Sequence, residues 1–217
     1  MHASLTGALR IARGAVRAAR RVAALRGLPP AVALFHARAH RVATRTGDVF
    51  SLRSAARPHE LRQLLELADG HDTAVELGTG TAWTAIALAL GDSGRRVVTY
   101  DPIVRPERER YLALVRPAVR ERIELVAEPG EAATPAADSV GFVFVDSAHD
   151  HASTVATVHA WRPALRPGGV MAFHDYDHPD WPGVREATET LGLRGDIVGG
   201  LFVWRSPVAG GSRQGAA

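Results

Sequence analysis

The sequence predicts an α/β fold in which helices cover both faces of a mostly parallel sheet. From residue 73 onward, short apolar runs alternate with stretches whose apolar residues recur at helical spacing. Runs that are apolar throughout are typical of parallel strands, because such strands are buried on both faces. Strands are therefore expected at seven runs: 74–77, 96–100, 123–126, 140–145, 170–173, 193–198 and 201–204.

Helices are expected between these runs and ahead of the first one. The segment 5–26 predicts an amphipathic helix, since five of its arginines share one stripe and its apolar residues lie opposite. An apolar face needs a cover, so we expect this helix to dock on the α/β domain or on a second copy in a homo-oligomer, with an anionic membrane surface as the alternative. The other predicted helices span residues 31–44, 57–68, 81–90, 105–119, 153–165 and 184–191.

Charge and composition divide the chain into three regions. These are a basic helical extension (1–50), one α/β domain (51–206) and a tail (207–217) that its Gly, Ser and Ala content predicts to be disordered. Nine arginines precede the first acid, Asp48, whereas the rest of the chain holds 17 arginines against 23 acids. The net positive charge therefore lies in the extension, the rest of the chain is net acidic, and nucleic-acid binding is not expected.

The residue types that are missing exclude several kinds of chemistry. The chain has no cysteine and no lysine, which excludes disulfides, thiolate metal ligands, a cysteine nucleophile and a Schiff-base lysine. It also has no run of about 20 apolar residues that could form a membrane-spanning helix, and its start lacks the features of a secretory signal. We therefore expect a cytoplasmic protein whose catalysis uses other groups.

A glycine-rich turn follows the first predicted strand. Gly78 and Gly80 allow the backbone to approach a ligand closely. A dinucleotide-binding turn would have a third glycine at the position of Trp83. Glu76, two residues before the first glycine, would repel a pyrophosphate but suits a cationic amino acid. The turn therefore disfavours an NAD-dependent oxidoreductase, which is retained only as an alternative.

A second acid, Asp101, ends the next predicted strand about twenty residues further on. A carboxylate at that place in a nucleoside-binding α/β fold accepts hydrogen bonds from both hydroxyls of a ribose. Together, the acid–glycine turn and Asp101 predict a ligand that contains adenosine.

Three further motifs follow along the chain: Phe142 to His149, the turn Leu165-Arg166-Pro167-Gly168-Gly169, and Val170 to Tyr176. With these motifs, the chain over about residues 55–205 resembles the class I S-adenosylmethionine-dependent methyltransferases. Within that family it is most similar to the small-molecule O-methyltransferases that act on natural-product and sugar hydroxyls in secondary metabolism. The resemblance implies a Rossmann-like seven-stranded, mostly parallel sheet with its last strand antiparallel. An N-methyltransferase and a non-catalytic nucleoside-binding protein are the alternatives.

The resemblance also implies which residues bind S-adenosylmethionine. Glu76 matches the acid at the methionine end of the cofactor, and Asp101 matches the ribose acid. Asp146, which ends the fourth strand, is a further cofactor contact. The partner of adenine is either Glu128 or Glu131. The loop beneath the cofactor comprises Gly78, Thr79 and Gly80.

In relatives, an acid after the fourth strand and an acidic pair after the fifth hold a divalent cation such as magnesium. The matching residues are Asp146, His174 and Asp175, so an imidazole replaces one carboxylate. Imidazole is a poorer ligand for magnesium than for manganese, iron or zinc. His149 is the alternative source of catalysis. A neutral imidazole with an unperturbed pKa near 6.5 is suited to accept the proton of an acceptor hydroxyl, with Asp146 orienting it.

Overall fold

The computed structural model describes residues 23–208 and contains one seven-stranded sheet. Its strand order is β3-β2-β1-β4-β5-β7-β6, and all pairs are parallel except those of β7, which is antiparallel to both its neighbours. The predicted Rossmann-like sheet is thereby confirmed. The strands are β1 (Thr73–Leu77), β2 (Arg96–Tyr100), β3 (Ile123–Val126), β4 (Val140–Val145), β5 (Leu165–Phe173), β6 (Asp196–Val198) and β7 (Leu201–Arg205).

Helices surround the sheet. Those before β1 are α1 (Pro30–Thr46), α2 (Val49–Ser54) and α3 (Pro58–Leu67). Those between and after the strands are α4 (Trp83–Gly91), α5 (Glu107–Leu112), α6 (Pro117–Arg120), α7 (His151–Trp161) and α8 (Pro182–Thr190), with a short 3-10 helix at Gly130–Ala132. Within residues 23–208, none of the helices combines the length and the apolarity needed to cross a membrane.

The two faces of the sheet are packed by different residues of the same strands. Ala74, Phe142 and Phe144 belong to the core cluster under α4, whereas Val75 and Val143 belong to the cluster on the other face. This alternation follows from the strand geometry, in which successive side chains point to opposite faces.

Helix α1 completes the core on the α4 side. Residues 83–89 of α4 are all buried, although only one stripe of a helix can face a sheet. The buried residues of α1, which include Val32 and Phe35, pack in the same cluster, and α1 contacts α4 directly. The part of the extension that is described is thus packed into the domain core. The predicted helix at 5–26, except for its last four residues, and the tail, except for Pro207 and Val208, lie outside the described residues.

Several predicted boundaries were wrong. The helix expected at 105–119 is two helices, because Pro117 begins α6 and forces Arg116 into an extended conformation. Strand β5 begins at Leu165 and so includes the Pro-Gly-Gly turn. Strand β6 starts at Asp196, three residues late, and α2 was not expected at all.

The order of the strands locates the functional edge of the sheet. Strand β1 pairs with β2 on one side and with β4 on the other, so the chain reverses its direction of winding between β1 and β4. In open α/β sheets, ligands bind outside the carboxyl ends of the strands at this switch point. The glycine turn after β1 and Asp146 after β4 lie at that place.

Candidate active site

The glycine turn lies directly against the end of β4. Gly78 has a φ of 105°, and a Cβ built on it would lie 2.0 Å from the carbonyl oxygen of Asp146. Only glycine fits there. The hydrogen-bond ladder continues past the strand ends, since the Asp146 amide donates to the Leu77 carbonyl at 2.8 Å. Gly78 and Asp146, 68 positions apart in the sequence, are thus held together by the backbone.

Glu76 lies at the bottom of the site and is only 1% exposed. Burial raises the pKa of its carboxyl group to about 8, although the hydrogen bond from the Thr99 hydroxyl, at 2.5 Å, works in the opposite direction. The Thr99 hydroxyl also lies 2.7 Å from the Thr79 hydroxyl. A buried acid of this kind gains most from a neighbouring cation, which would stabilise its charged form.

Asp101, directly after β2, is hydrogen-bonded through its side chain to the glycine turn. Its carboxylate accepts hydrogen bonds from the amides of Gly80, at 2.9 Å, and Ile103, at 2.8 Å. The buried Arg108 donates to the Gly80 carbonyl at 3.1 Å and to the Asp101 carboxylate at 3.3 Å. Arg108 was not predicted as a site residue, because the alternating charges of α5 are typical of an exposed helix.

Helix α2 packs against the glycine turn. Asp48 caps this helix by accepting from the Ser51 amide at 3.0 Å, and the Ser51 hydroxyl lies 2.8 Å from the hydroxyl of Thr81. These contacts hold Phe50 against the turn, where its ring would be 3.6 Å from a Cβ built on Gly80. The helix could have been predicted from the capping sequence Asp-x-x-Ser that begins at Asp48, but its docking on the turn could not.

A cavity of about 1040 Å³ opens at this edge of the sheet, and Glu76, Gly78 and Asp101 line it. Its volume lies at the top of the range of about 300 to 1000 Å³ that is usual for small-molecule sites, so it has room for a cofactor and an acceptor. Of the two candidates for the adenine contact, Glu131 lies in the cavity wall. Glu128 is exposed on the surface and is not part of that wall.

Four side chains form a compact cluster at the ends of β4 and β5. Asp146, His149, His174 and Asp175 offer ligand atoms that all lie within 4.8 Å of one another. The Nε2 atom of His149 is 3.3 Å from the Asp146 carboxylate and 3.1 Å from that of Asp175. His149 and Asp175 have φ values of 60° and 53°, a region that residues other than glycine rarely adopt. The backbone is therefore strained where it brings the cluster together.

The cluster shifts the pKa values of both histidines upward. Burial alone would lower the pKa of His149, but its contacts with Asp146 and Asp175 outweigh burial and raise that pKa to about 9. The same balance raises the pKa of His174 to about 12, and the histidines hold the pKa of Asp175 well below its usual range despite its burial. The expectation of an unperturbed pKa for His149 was wrong. At neutral pH, this imidazole is protonated in the described arrangement, donates a hydrogen bond to the Asp146 carboxylate and forms an ion pair with Asp175.

The donor set also fits a divalent cation. The Nδ1 atom of His174 is buried and lies 3.2 Å from the Asp146 carboxylate and 3.1 Å from that of Asp175, but neither contact has hydrogen-bond geometry. Such an unsatisfied buried nitrogen between two carboxylates matches what a metal ligand requires. One imidazole and two carboxylates would suit manganese, iron or zinc better than magnesium.

Glu60 supports this histidine from outside the cluster. Its carboxylate accepts from the Arg57 amide at 2.7 Å, in the first turn of α3, and lies 3.6 Å from the Nε2 atom of His174. A carboxylate on the outer nitrogen favours a proton there, which leaves the inner nitrogen for the cluster. Glu60 was missed from the sequence, since it reaches His174 across 114 positions.

Comparison with known proteins gives one family match. A protein family described as "methyltransferase domain" matches residues 75–176, a span that runs from β1 to the loop after β5. Among curated proteins, no sequence matches this chain.

Solved structures share the fold at low sequence identity. A methyltransferase from Geobacter sulfurreducens has a TM-score of 0.62 at 18% identity, over 87% of this chain and 96% of its own. The TDP-rhamnose 3'-O-methyltransferase CalS11 of calicheamicin biosynthesis scores 0.53 at 18% identity, over 75% and 85%. The 1,6-didemethyltoxoflavin N1-methyltransferase of Burkholderia thailandensis scores 0.53 at 18% identity, over 81% and 88%. The chain thus shares its fold with these methyltransferases over most of its length, and the methyltransferase family match covers its central strands.

Proposed function

We propose that the protein transfers the methyl group of S-adenosylmethionine to a hydroxyl oxygen of a small molecule. The observation that carries this proposal is the Asp–His cluster, which lies in the same cavity as the acid–glycine turn. A hydroxyl must lose its proton during the transfer, and the cluster offers both a proton acceptor and ligands for a cation. Because the structural neighbours include both an O- and an N-methyltransferase, transfer to nitrogen is the alternative.

Several residues of the cavity wall can each be assigned to one part of the cofactor. Glu76 would meet the amino group of the methionine moiety, and Asp101 the ribose hydroxyls. Glu131 would lie beside adenine. The sulfonium makes the methyl group reactive, so these residues have only to bind and align the cofactor. The backbone beneath it is that of Gly78, Thr79 and Gly80, with Asp146 at its edge.

The acceptor would lie over the Asp–His cluster. Asp146, His174 and Asp175 would hold a divalent cation, which when bound lowers the pKa of a coordinated hydroxyl. His149 would take the acceptor proton at Nε2 only in its neutral form, and a cation held by Asp146 and Asp175 would favour that form by neutralising the two carboxylates that raise the pKa of His149. Asp146 would orient His149, and Glu60 would hold the ring of His174 in place.

Cofactor binding is the direct test of this proposal. Calorimetry should show binding of S-adenosylmethionine or its demethylated product, S-adenosylhomocysteine, but not of NAD. Asp101→Ala should weaken that binding by about 1.5 to 3 kcal/mol, the range for hydrogen bonds to a charged group. Asp92→Ala, an exposed change at the end of α4, is the control and should leave the affinity unchanged. If the Asp101 variant binds the cofactor as tightly as the wild type, Asp101 does not bind the ribose. Turnover of methyl-labelled cofactor with hydroxyl and amine acceptors decides whether the methyl group is transferred to oxygen or to nitrogen.

Glu76→Gln should have opposite effects on stability and on binding. The pKa of Glu76 is about 8 in the folded chain, above its value of about 4.5 when unfolded, so ionisation costs stability as the pH rises from 4.5 to 8. The variant has no such cost. Without cofactor at pH 8, its free energy of unfolding should exceed that of the wild type by at least about 1 kcal/mol, since one pKa unit corresponds to about 1.4 kcal/mol. Its affinity for S-adenosylhomocysteine should fall.

Denaturant unfolding at pH 5 and pH 8, with and without S-adenosylhomocysteine, measures both effects. The stability difference between the variant and the wild type should be small at pH 5 and larger at pH 8. A difference that does not depend on pH would show that burial does not raise the pKa of this acid.

A further inference from the structure

The cavity is lined by arginines whose positive charge is not neutralised by an ion pair within the described part of the protein. Arg53, Arg57 and Arg105 line this cavity. Within residues 23–208, none of the three guanidinium groups lies within ion-pair distance of a carboxylate, whereas the buried Arg108, which is not part of the cavity wall, is paired with Asp101. Unpaired arginines that share one concave surface are suited to an anionic ligand.

Arg105 lies on the cofactor side of the mouth. Its guanidinium carbon is 3.5 Å from the centroid of the Phe50 ring, a cation–π contact that fixes the plane of the group. Phe50 in turn lies against Gly80 of the glycine turn. Arg105 is thus placed to meet the single carboxylate of the cofactor.

Arg53 and Arg57 lie on the acceptor side. Arg53 is in the last turn of α2, and Arg57 directly precedes α3, so the two flank the short connection between these helices. Glu60, in the first turn of α3, reaches His174 of the Asp–His cluster. The connection is therefore next to the place where an acceptor must lie for its proton to be removed.

The neighbouring acidic residues of the cavity wall do not neutralise Arg53 and Arg57. Glu60 contacts His174, and Asp177 forms an ion pair with Arg185. Both arginines are exposed, so their guanidinium groups are accessible to a ligand. A guanidinium group binds phosphate and carboxylate through two parallel hydrogen bonds, which gives such a pair geometric selectivity as well as charge.

We propose that Arg53 and Arg57 bind an anionic group of the methyl acceptor, a phosphate or a carboxylate, while its hydroxyl lies at the Asp–His cluster. The proposal rests on the proposed function, because it places the acceptor in the same cavity. It narrows the acceptor to a hydroxylated molecule that carries a negative charge at neutral pH.

Calorimetric titration of the full chain, with and without saturating S-adenosylhomocysteine, tests this subsite with two probes at fixed ionic strength. Inorganic pyrophosphate represents the phosphate source and malonate the carboxylate source. At least one probe should bind, and the one that binds more tightly identifies the anion. The double variant R53Q/R57Q should raise the Kd of that probe about tenfold or more, which corresponds to about 1.4 kcal/mol. Arg96→Gln, an exposed change at the opposite edge of the sheet, should leave it unchanged.

The affinity for S-adenosylhomocysteine separates this proposal from the proposed function. It should be the same in R53Q/R57Q and in the wild type. Loss of cofactor affinity in the double variant would assign these arginines to the cofactor carboxylate and overturn the subsite. Absence of probe binding, or equal binding by the double variant and the wild type, would also overturn it. A wild type that binds a probe but no S-adenosylhomocysteine would overturn the proposed function instead.

Discussion

Asp146→Asn is expected to lower kcat for methyl transfer on the order of 10³-fold. The Asp146 carboxylate contacts both histidines of the cluster, at 3.3 Å from His149 and 3.2 Å from His174. The variant keeps the size of the side chain but loses its charge, which removes either a cation ligand or the group that orients the base. A loss of several kcal/mol of transition-state stabilisation corresponds to this factor. Asp72→Asn, at the opposite edge of the sheet, is the matched control and should leave kcat unchanged.

Chelation separates the two roles of the cluster. If a cation assists the reaction, a chelator should abolish wild-type activity, and added manganese should restore the wild type but not Asp146→Asn. His149→Ala should then lower kcat by about 10²-fold or less, near the lower end of the range for a general base. Full activity in chelator together with a larger His149 effect would select His149 alone as the source of catalysis. Unchanged kcat in Asp146→Asn would place the chemistry outside the cluster.

The strands could be predicted because each one is a continuous apolar run, but their ends depend on distant partners. Strand β5 extends back through the Pro-Gly-Gly turn because residues after β7 pair with it. The Gly168 amide donates to the Ser206 carbonyl, and the Ser206 amide donates to the Gly169 carbonyl. No pattern within 165–169 indicates a partner that lies about 38 positions further along the chain. By contrast, the division between α5 and α6 could have been predicted from Pro117.

The parts of the site that could be predicted from the sequence lie in the last residues of a strand or directly after it. The carboxyl ends of parallel strands meet at one edge, so Glu76, Asp101 and Asp146 could be placed together from their positions alone. Arg108 and Glu60 could not, because they come from helices and act through contacts between distant segments. The pKa of His149 was misjudged for the same reason, since only the fold brings Asp175 to the atom that also faces Asp146.

Gly78→Ala is expected to lower the free energy of unfolding by about 4 kcal/mol or more and to abolish binding of S-adenosylhomocysteine. The left-handed backbone at this position disfavours any Cβ by about 1 to 2 kcal/mol. In addition, the new methyl group would overlap the Asp146 carbonyl, only 2.0 Å away. That overlap forces the turn away from the end of β4, which separates the cofactor loop from the Asp–His cluster. A combined strain and packing loss of this size is among the largest that single substitutions cause.

Gly192→Ala is the matched control, because Gly192 also has a left-handed φ, of 63°, but a Cβ built there meets no atom within 4 Å. It isolates the backbone cost and should lose only about 1 to 2 kcal/mol, with cofactor affinity unchanged. Denaturant unfolding and calorimetry measure both variants. If Gly78→Ala is no less stable than Gly192→Ala and still binds S-adenosylhomocysteine, the close contact between the turn and β4 does not determine the site. If it folds with the larger loss of stability and fails to bind, the position of the turn against Asp146 is what holds the cofactor loop in its binding conformation.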